Sequence, residues 1–219
     1  MKGMRTVLGI WMAVACLVVW APRGAALAEK GAYRDRLDEH FTRARADLTA
    51  GRHRAARKEL GRAARQLEKK VYPASGEVKQ ALVKQAVALK SLSAEVDRGH
   101  VTDPREIDVS AARAHAALAK YHQMRAEERW SDEESRDAGR ELGAAAHHLQ
   151  RGAVWLGHGS DTLVLTATRD AGVLSGQLVE GRYVPEQVDD GIQAVGREID
   201  RLGWRPEPRQ GRQAPARPR

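Results

Sequence analysis

Arg54-Ala55-Ala56-Arg57-Lys58-Glu59-Leu60-Gly61-Arg62-Ala63-Ala64-Arg65-Gln66-Leu67 returns 82 residues later as Arg136-Asp137-Ala138-Gly139-Arg140-Glu141-Leu142-Gly143-Ala144-Ala145-Ala146-His147-His148-Leu149, with eight of fourteen positions identical. Composition alone would give about one or two matches in such a window, so this is an internal repeat. The same offset carries His40 onto His122, Arg43-Ala44 onto Arg125-Ala126 and Gly99 onto Gly181. A tandem duplication is expected, with one unit over 29–113 and a second over 114–204. The last helix, 186–202, corresponds to the start of a further unit and closes the exposed end.

Both copies read as helix. Ala56, Leu60, Ala63, Leu67 and Val71 share one face of 52–71. Val78, Leu82, Gln85, Leu89, Leu92 and Val96 recur at steps of four and three over 76–98, and Val188, Ile192, Val195, Ile199 and Leu202 do so over 186–202. That period places one stripe along one helix face. Asp103-Pro104-Arg105-Glu106 and Ser131-Asp132-Glu133-Glu134 read as helix starts, the second as a capping box. Gly51, Gly99 and Gly181 sit where helices should stop. Thr162 to Thr168 is β-branched enough for a strand, but a lone strand has no partner, so helix is expected. The fold class is therefore all-α: an antiparallel helical bundle or short α-solenoid of about six to seven helices. Aromatics are only 5% of the chain and Ala is abundant, so the core should be thin and the helices close. Gly61 and Gly143 lie mid-helix at about 1 kcal/mol each against Ala. Their recurrence predicts a repeat interface where another helix crosses closely.

The spacing Ala44-x3-Leu48-x2-Gly51-x4-Ala56-x3-Leu60-x2-Ala63-x3-Leu67 resembles a tetratricopeptide hairpin, with small residues where paired helices touch and Gly at the turn. It covers roughly 30 residues, against a family period of about 34. It recurs loosely over 120–150 with Asp132 in place of the turn Gly. What the resemblance implies is a concave surface that binds peptides or partner proteins. A plain helical bundle accounts for the same Ala/Leu spacing.

Residues 1–28 read as a secretory signal. Lys2 and Arg5 precede an apolar run from Val7 to Trp20, Pro22 ends it, and Ala26-Leu27-Ala28 supplies the small-x-small cleavage pattern. The run is shorter than the ~20 residues that span a bilayer. Once cleaved, the protein should not be an integral membrane protein, and its expected location is periplasmic or secreted. An uncleaved anchor is one alternative. Lipidation at Cys16, in Ala13-Val14-Ala15-Cys16, is another. Cleavage after Ala28 removes the sole cysteine and with it disulfide and thiolate chemistry.

The formal charge of +8 divides unevenly: +3 on 1–28, +4 on 205–219 and +1 on the body. A nearly neutral body offers nucleic acid no electrostatic footprint, so no nucleic-acid partner is expected. The tail, 205–219, is rich in Pro, Gln and Arg without apolar periodicity and should be disordered. Its charge suits contact with an anionic surface.

All eight histidines lie after residue 28. His40, His115, His122 and His147 are the candidate metal ligands, with His148 an alternative to His147. His115 and His122 share a helix face, and His40 and His122 could meet across a pseudo-symmetric interface. Imidazole suits zinc, copper or nickel. No H-E-x-x-H pattern, phosphate loop or dinucleotide fingerprint accompanies them. Gly157-His158-Gly159-Ser160-Asp161 holds three triad residue types, but too close in sequence to surround one substrate. It reads as a loop, with Ser160 or Asp161 capping the next helix. The carboxylate pairs sit at helix starts and on exposed faces. Trp130, Trp155 and Trp204 read as gap-fillers or groove-liners. No catalytic residue or cofactor is expected. The function indicated is a non-enzymatic envelope binding or adaptor protein for an unknown envelope protein or peptide. The alternative is a periplasmic small-ligand or metal-binding protein using its histidine-bearing face.

Overall fold

The computed structural model describes residues 36–202. Ala26, Ala28, Cys16, Trp204 and the basic tail lie outside the described residues. Within them the chain is all-helical, with no strand: α1 (Arg36–Thr49), α2 (His53–Val71), α3 (Gly76–Asp97), α4 (Arg105–Ser131), α5 (Ser135–Trp155), α6 (Thr162–Glu180) and α7 (Pro185–Arg201). The β-branched stretch at 162–168 begins α6, where the Asp161 carboxylate accepts from Leu163 N at 2.9 Å. No helix among the described residues is long and apolar enough to cross a membrane.

The offset of 82 maps α2 onto α5 and α3 onto α6, and the same bonds recur. Ser93 Oγ donates to Arg57 O at 3.0 Å, and Ser175 Oγ donates to Gly139 O at 2.7 Å. Each bond ties the third helix of a unit to the second and contributes about 1 kcal/mol. Gly99 and Gly181 both end a helix in the left-handed region, at φ +72° and +71°. Gly51, at φ +71°, is matched by Glu133 at φ +61°. The turn residue of the second copy is thus Glu133 rather than Asp132.

The capping box expected at Ser131–Glu134 is absent. Ser131 is still helical, Glu134 precedes α5, and it makes no side-chain cap bond. Glu134 instead pairs with Arg129 across the turn. The first copy closes its turn with the charges exchanged, Arg52 onto Asp47 at 2.7 Å. Asp103 does cap α4, accepting from Arg105 N at 2.9 Å.

The offset also maps α1 onto the second half of α4, and α7 onto the first half. One helix therefore serves both units, and the division expected between 113 and 114 falls inside it. Ile107, Ala111, Ala114 and Leu118 of α4 join the core of α1, α2 and α3. Ala119 and Ala126 join the core of α5, α6 and α7. Flanked on both sides, α4 is buried almost all round. Amphipathic α1 and α7 each bury one stripe: Leu37, Phe41, Ala44 and Leu48 in α1, and Val188, Ile192, Val195 and Ile199 in α7. Polar outer faces on the terminal elements close a repeat stack at its ends.

Gly61 and Gly143 differ. A Cβ on Gly143 would stand 2.7 Å from Ser175 Oγ, so a helix does cross closely there. On Gly61 it would meet only the Arg65 guanidinium, at 3.7 Å, and the expected crossing is absent. The α6 backbone itself is met at Gly139, where a Cβ would lie 2.8 Å from Ser175 O and from Leu178 Cβ. Its counterpart is Arg57, so the first pair cannot close as far at that point.

Candidate functional site

The histidines are brought together where the two units join. His115 and His148 are fully buried, and His122 nearly so. Their helices, α4 and α5, come close because Gly152 has no side chain: a Cβ there would be 3.4 Å from Ala112 O and 3.5 Å from His115 Cβ. Across that seam His115 Nδ1 and His148 Nδ1 are 3.1 Å apart. The His148 ring stacks on His122, with planes 17° apart and centroids at 5.4 Å. His122 Nδ1–H donates to Glu141 Oε2 at 2.6 Å. His147 meets His148 edge-on, with centroids at 5.6 Å.

Asp38 of α1 occupies the other end. It accepts from Arg151 Nε and Nη2, at 3.0 and 2.6 Å, and from Trp155 Nε1 at 2.8 Å. His115 Nε2 lies 3.5 Å from it. Burial alone would raise the Asp38 pKa. Hydrogen bonds from His115, Arg151 and Trp155, with the Arg151 charge, more than offset that and hold it at about 2. Glu141 is also held below the usual carboxylate range: burial opposes this, and the His122 hydrogen bond and charge, with Lys70 and Arg125, prevail. A polar thread thus runs from Asp38 through His115, His148 and His122 to Glu141, and stitches α1, α4 and α5 together. Trp155 also packs edge-on against Phe41, with centroids at 6.2 Å, and Trp130 against Tyr183, at 5.4 Å.

Of the four candidate ligands, His115, His122 and His147 belong to this cluster. His40 does not meet His122 there: its Nδ1 donates to Glu59 Oε2 at 2.6 Å, repeating the His122–Glu141 bond in the first copy. Each His–Glu pair ties the first helix of its unit to the second, and that local bond is available without any approach between copies. No group of three or more His, Cys, Asp or Glu side chains among the described residues is arranged to hold a metal ion. His148 meets His122 by stacking and His147 edge-on, while its Nδ1 is taken up by His115. The space beside His148, between Ala116, Gly152 and Ile199, is about 10 Å³. That is room for one water molecule at most.

The sequence reading did not single out Asp38, Glu59, Glu141, Ser93 or Ser175. Glu59 and Glu141 were repeat identities, each 19 residues after a histidine that the repeat also matched. That doubled spacing was the available signal. Asp38 left none, because its hydrogen-bonded partners Arg151 and Trp155 are more than a hundred residues away.

An open groove lies between α5 and α6, lined by Gly143, Ala146, His147, Gln150, Leu165 and Thr166. Small side chains on α5 make its floor, and polar ones its rim. Comparison with family models, curated proteins and solved structures gives no match.

Proposed function

We propose that the chain is an exported, non-enzymatic binding or adaptor protein of the bacterial envelope, acting through a helical surface on a protein or peptide. The observation that carries this reading is the α5–α6 groove, an open channel between paired helices with a floor of small residues. The tetratricopeptide resemblance supports it, since that family binds peptides along such surfaces. The polar thread supports it too, because those hydrogen bonds hold α5, one wall of the groove, to the rest of the fold.

A photo-crosslinking residue placed at Gln150 or Thr166 tests the reading in intact cells. One discrete adduct is expected from the groove positions, lost on Leu165→Asp and absent from a control at Arg43. Equal labelling at all three positions, or none at any, would overturn it. The alternative, a metal held on the histidine-bearing face, is tested on tag-free protein. Near-stoichiometric zinc, copper or nickel that survives dialysis would replace the first reading with the second.

A further inference from the structure

The near-neutral body conceals a separation of charge. The α2–α3 hairpin, 53–97, carries ten Lys and Arg against five Asp and Glu, whereas 105–201 carries twelve against seventeen. One end is thus +5 and the other −5. Three of the hairpin's five acids are engaged inside it: Glu59 with Arg62 (and with His40 of α1), Glu68 with Lys90, and Asp97 with Arg57.

Arg54, Lys58, Arg65 and Lys69 are exposed, and among the described residues none has a carboxylate within ion-pair distance. At about 100° per residue they fall within roughly 60° of arc, and they span about 22 Å along α2. Gly61 lies in the same sector, and its Cβ direction is open apart from the Arg65 guanidinium. Tyr72 ends the row at 94% exposure. The Glu68–Lys90 bond, 2.5 Å, sets the register of α3 alongside. There Lys79 and Lys84 are exposed, as are the aliphatic side chains of Val83 and Val87.

The second copy lacks this stripe. At the equivalent positions Arg136 donates to Val179 O, Arg140 pairs with Asp137, Arg151 binds Asp38, and His147 replaces the other cation. The row in α2 is therefore not an incidental product of the repeat.

We propose that the α2–α3 face docks on a bilayer that carries anionic phospholipid. The cations are spread along one helix and onto its neighbour, with exposed valines and a tyrosine among them, which suits a plane of headgroups and acyl-chain margins. The acidic remainder is repelled by the same plane, so the separation of charge orients the molecule with α2 and α3 facing it. This goes beyond the proposed function: it uses the other hairpin and does not need the α5–α6 groove.

The test is co-sedimentation of the full chain with vesicles of phosphatidylcholine alone, and with 30% phosphatidylglycerol, at low and high salt. The expected result is binding only to the anionic vesicles, weakened by salt. Reversal of four charges, Arg54→Glu, Lys58→Glu, Arg65→Glu and Lys69→Glu, should weaken that binding about 100-fold or more. An equal reversal in the tail, Arg209→Glu, Arg212→Glu, Arg217→Glu and Arg219→Glu, should weaken it distinctly less. Circular dichroism checks both folds, and the milder Arg65→Gln/Lys69→Gln pair replaces the fourfold variant if that one unfolds. Equal losses in the two variants would show that net charge or the tail is responsible and overturn the proposal. So would absence of anionic-vesicle binding, or tighter binding to duplex DNA than to the vesicles.

Discussion

His115 Nδ1 and His148 Nδ1 face each other at 3.1 Å inside a seam from which both residues exclude water, so one proton, and only one, fits between them. One ring donates through Nδ1–H and the other accepts at its bare Nδ1, so the pair bridges α4 and α5. Among the described residues, Asp38 from α1, His122 from α4 and His147 from α5 lie against the pair.

His148→Leu should lower stability by about 1–3 kcal/mol, because it removes the buried partner of His115 Nδ1 across the seam. Urea unfolding at neutral pH measures this loss. The double variant His115→Leu/His148→Leu should lose less than the sum of the two single variants. Strictly additive losses would show that the two rings are not coupled.

Asp38 gives the fold an acid-sensitive contact. Its carboxyl is held at about 2 when folded, below the ordinary 3.8, so its contribution is complete above about pH 4 and lost as the pH falls towards 2. Asp38→Asn should remove that part of the acid unfolding curve. It should also lower stability at neutral pH by about 1–3 kcal/mol, since Arg151 and Trp155 lose a charged acceptor.

Two glycines in matched helices should respond oppositely to alanine. Gly139→Ala forces a Cβ to 2.8 Å from backbone oxygen and from Leu178 Cβ, contacts that only a shift of α6 can relieve. A loss of about 1–3 kcal/mol is expected. Gly61→Ala meets only a flexible guanidinium and should gain about 1 kcal/mol from helix propensity. Thermal melts of the two single variants decide the order.

Glu133 adopts a φ of +61° where the other copy has Gly51, a conformation that costs a side-chain-bearing residue about 1–2 kcal/mol. Glu133→Gly should raise stability by about 0.5–1 kcal/mol, and Gly51→Glu should lower it. The α4–α5 turn itself should stay unchanged, because its backbone bonds, Glu134 N to Arg129 O and Glu133 N to Trp130 O, do not use the side chain.

The helices and their order were written in the sequence because both signals are local. Apolar spacing such as Val78–Leu82–Leu89–Val96 states which face is buried, and a left-handed turn needs Gly51, Gly99 or Gly181 within a few residues of the helix it ends. The repeat extended that local information, since a hairpin that works at 54–67 works again at 136–149. Long-range choices were not local and could not be read. His122 and Glu141 could be seen as repeated residues but not as bonded ones, and the His115–His148 contact depends on how far Gly152 lets α4 approach α5. That approach is a balance of side-chain volumes from helices far apart in the chain. For the same reason the continuous α4, shared by two cores, appeared only when both copies were packed against it: its alanines are spread round the helix with no single apolar stripe, and periodicity alone cannot say which neighbours cover which side.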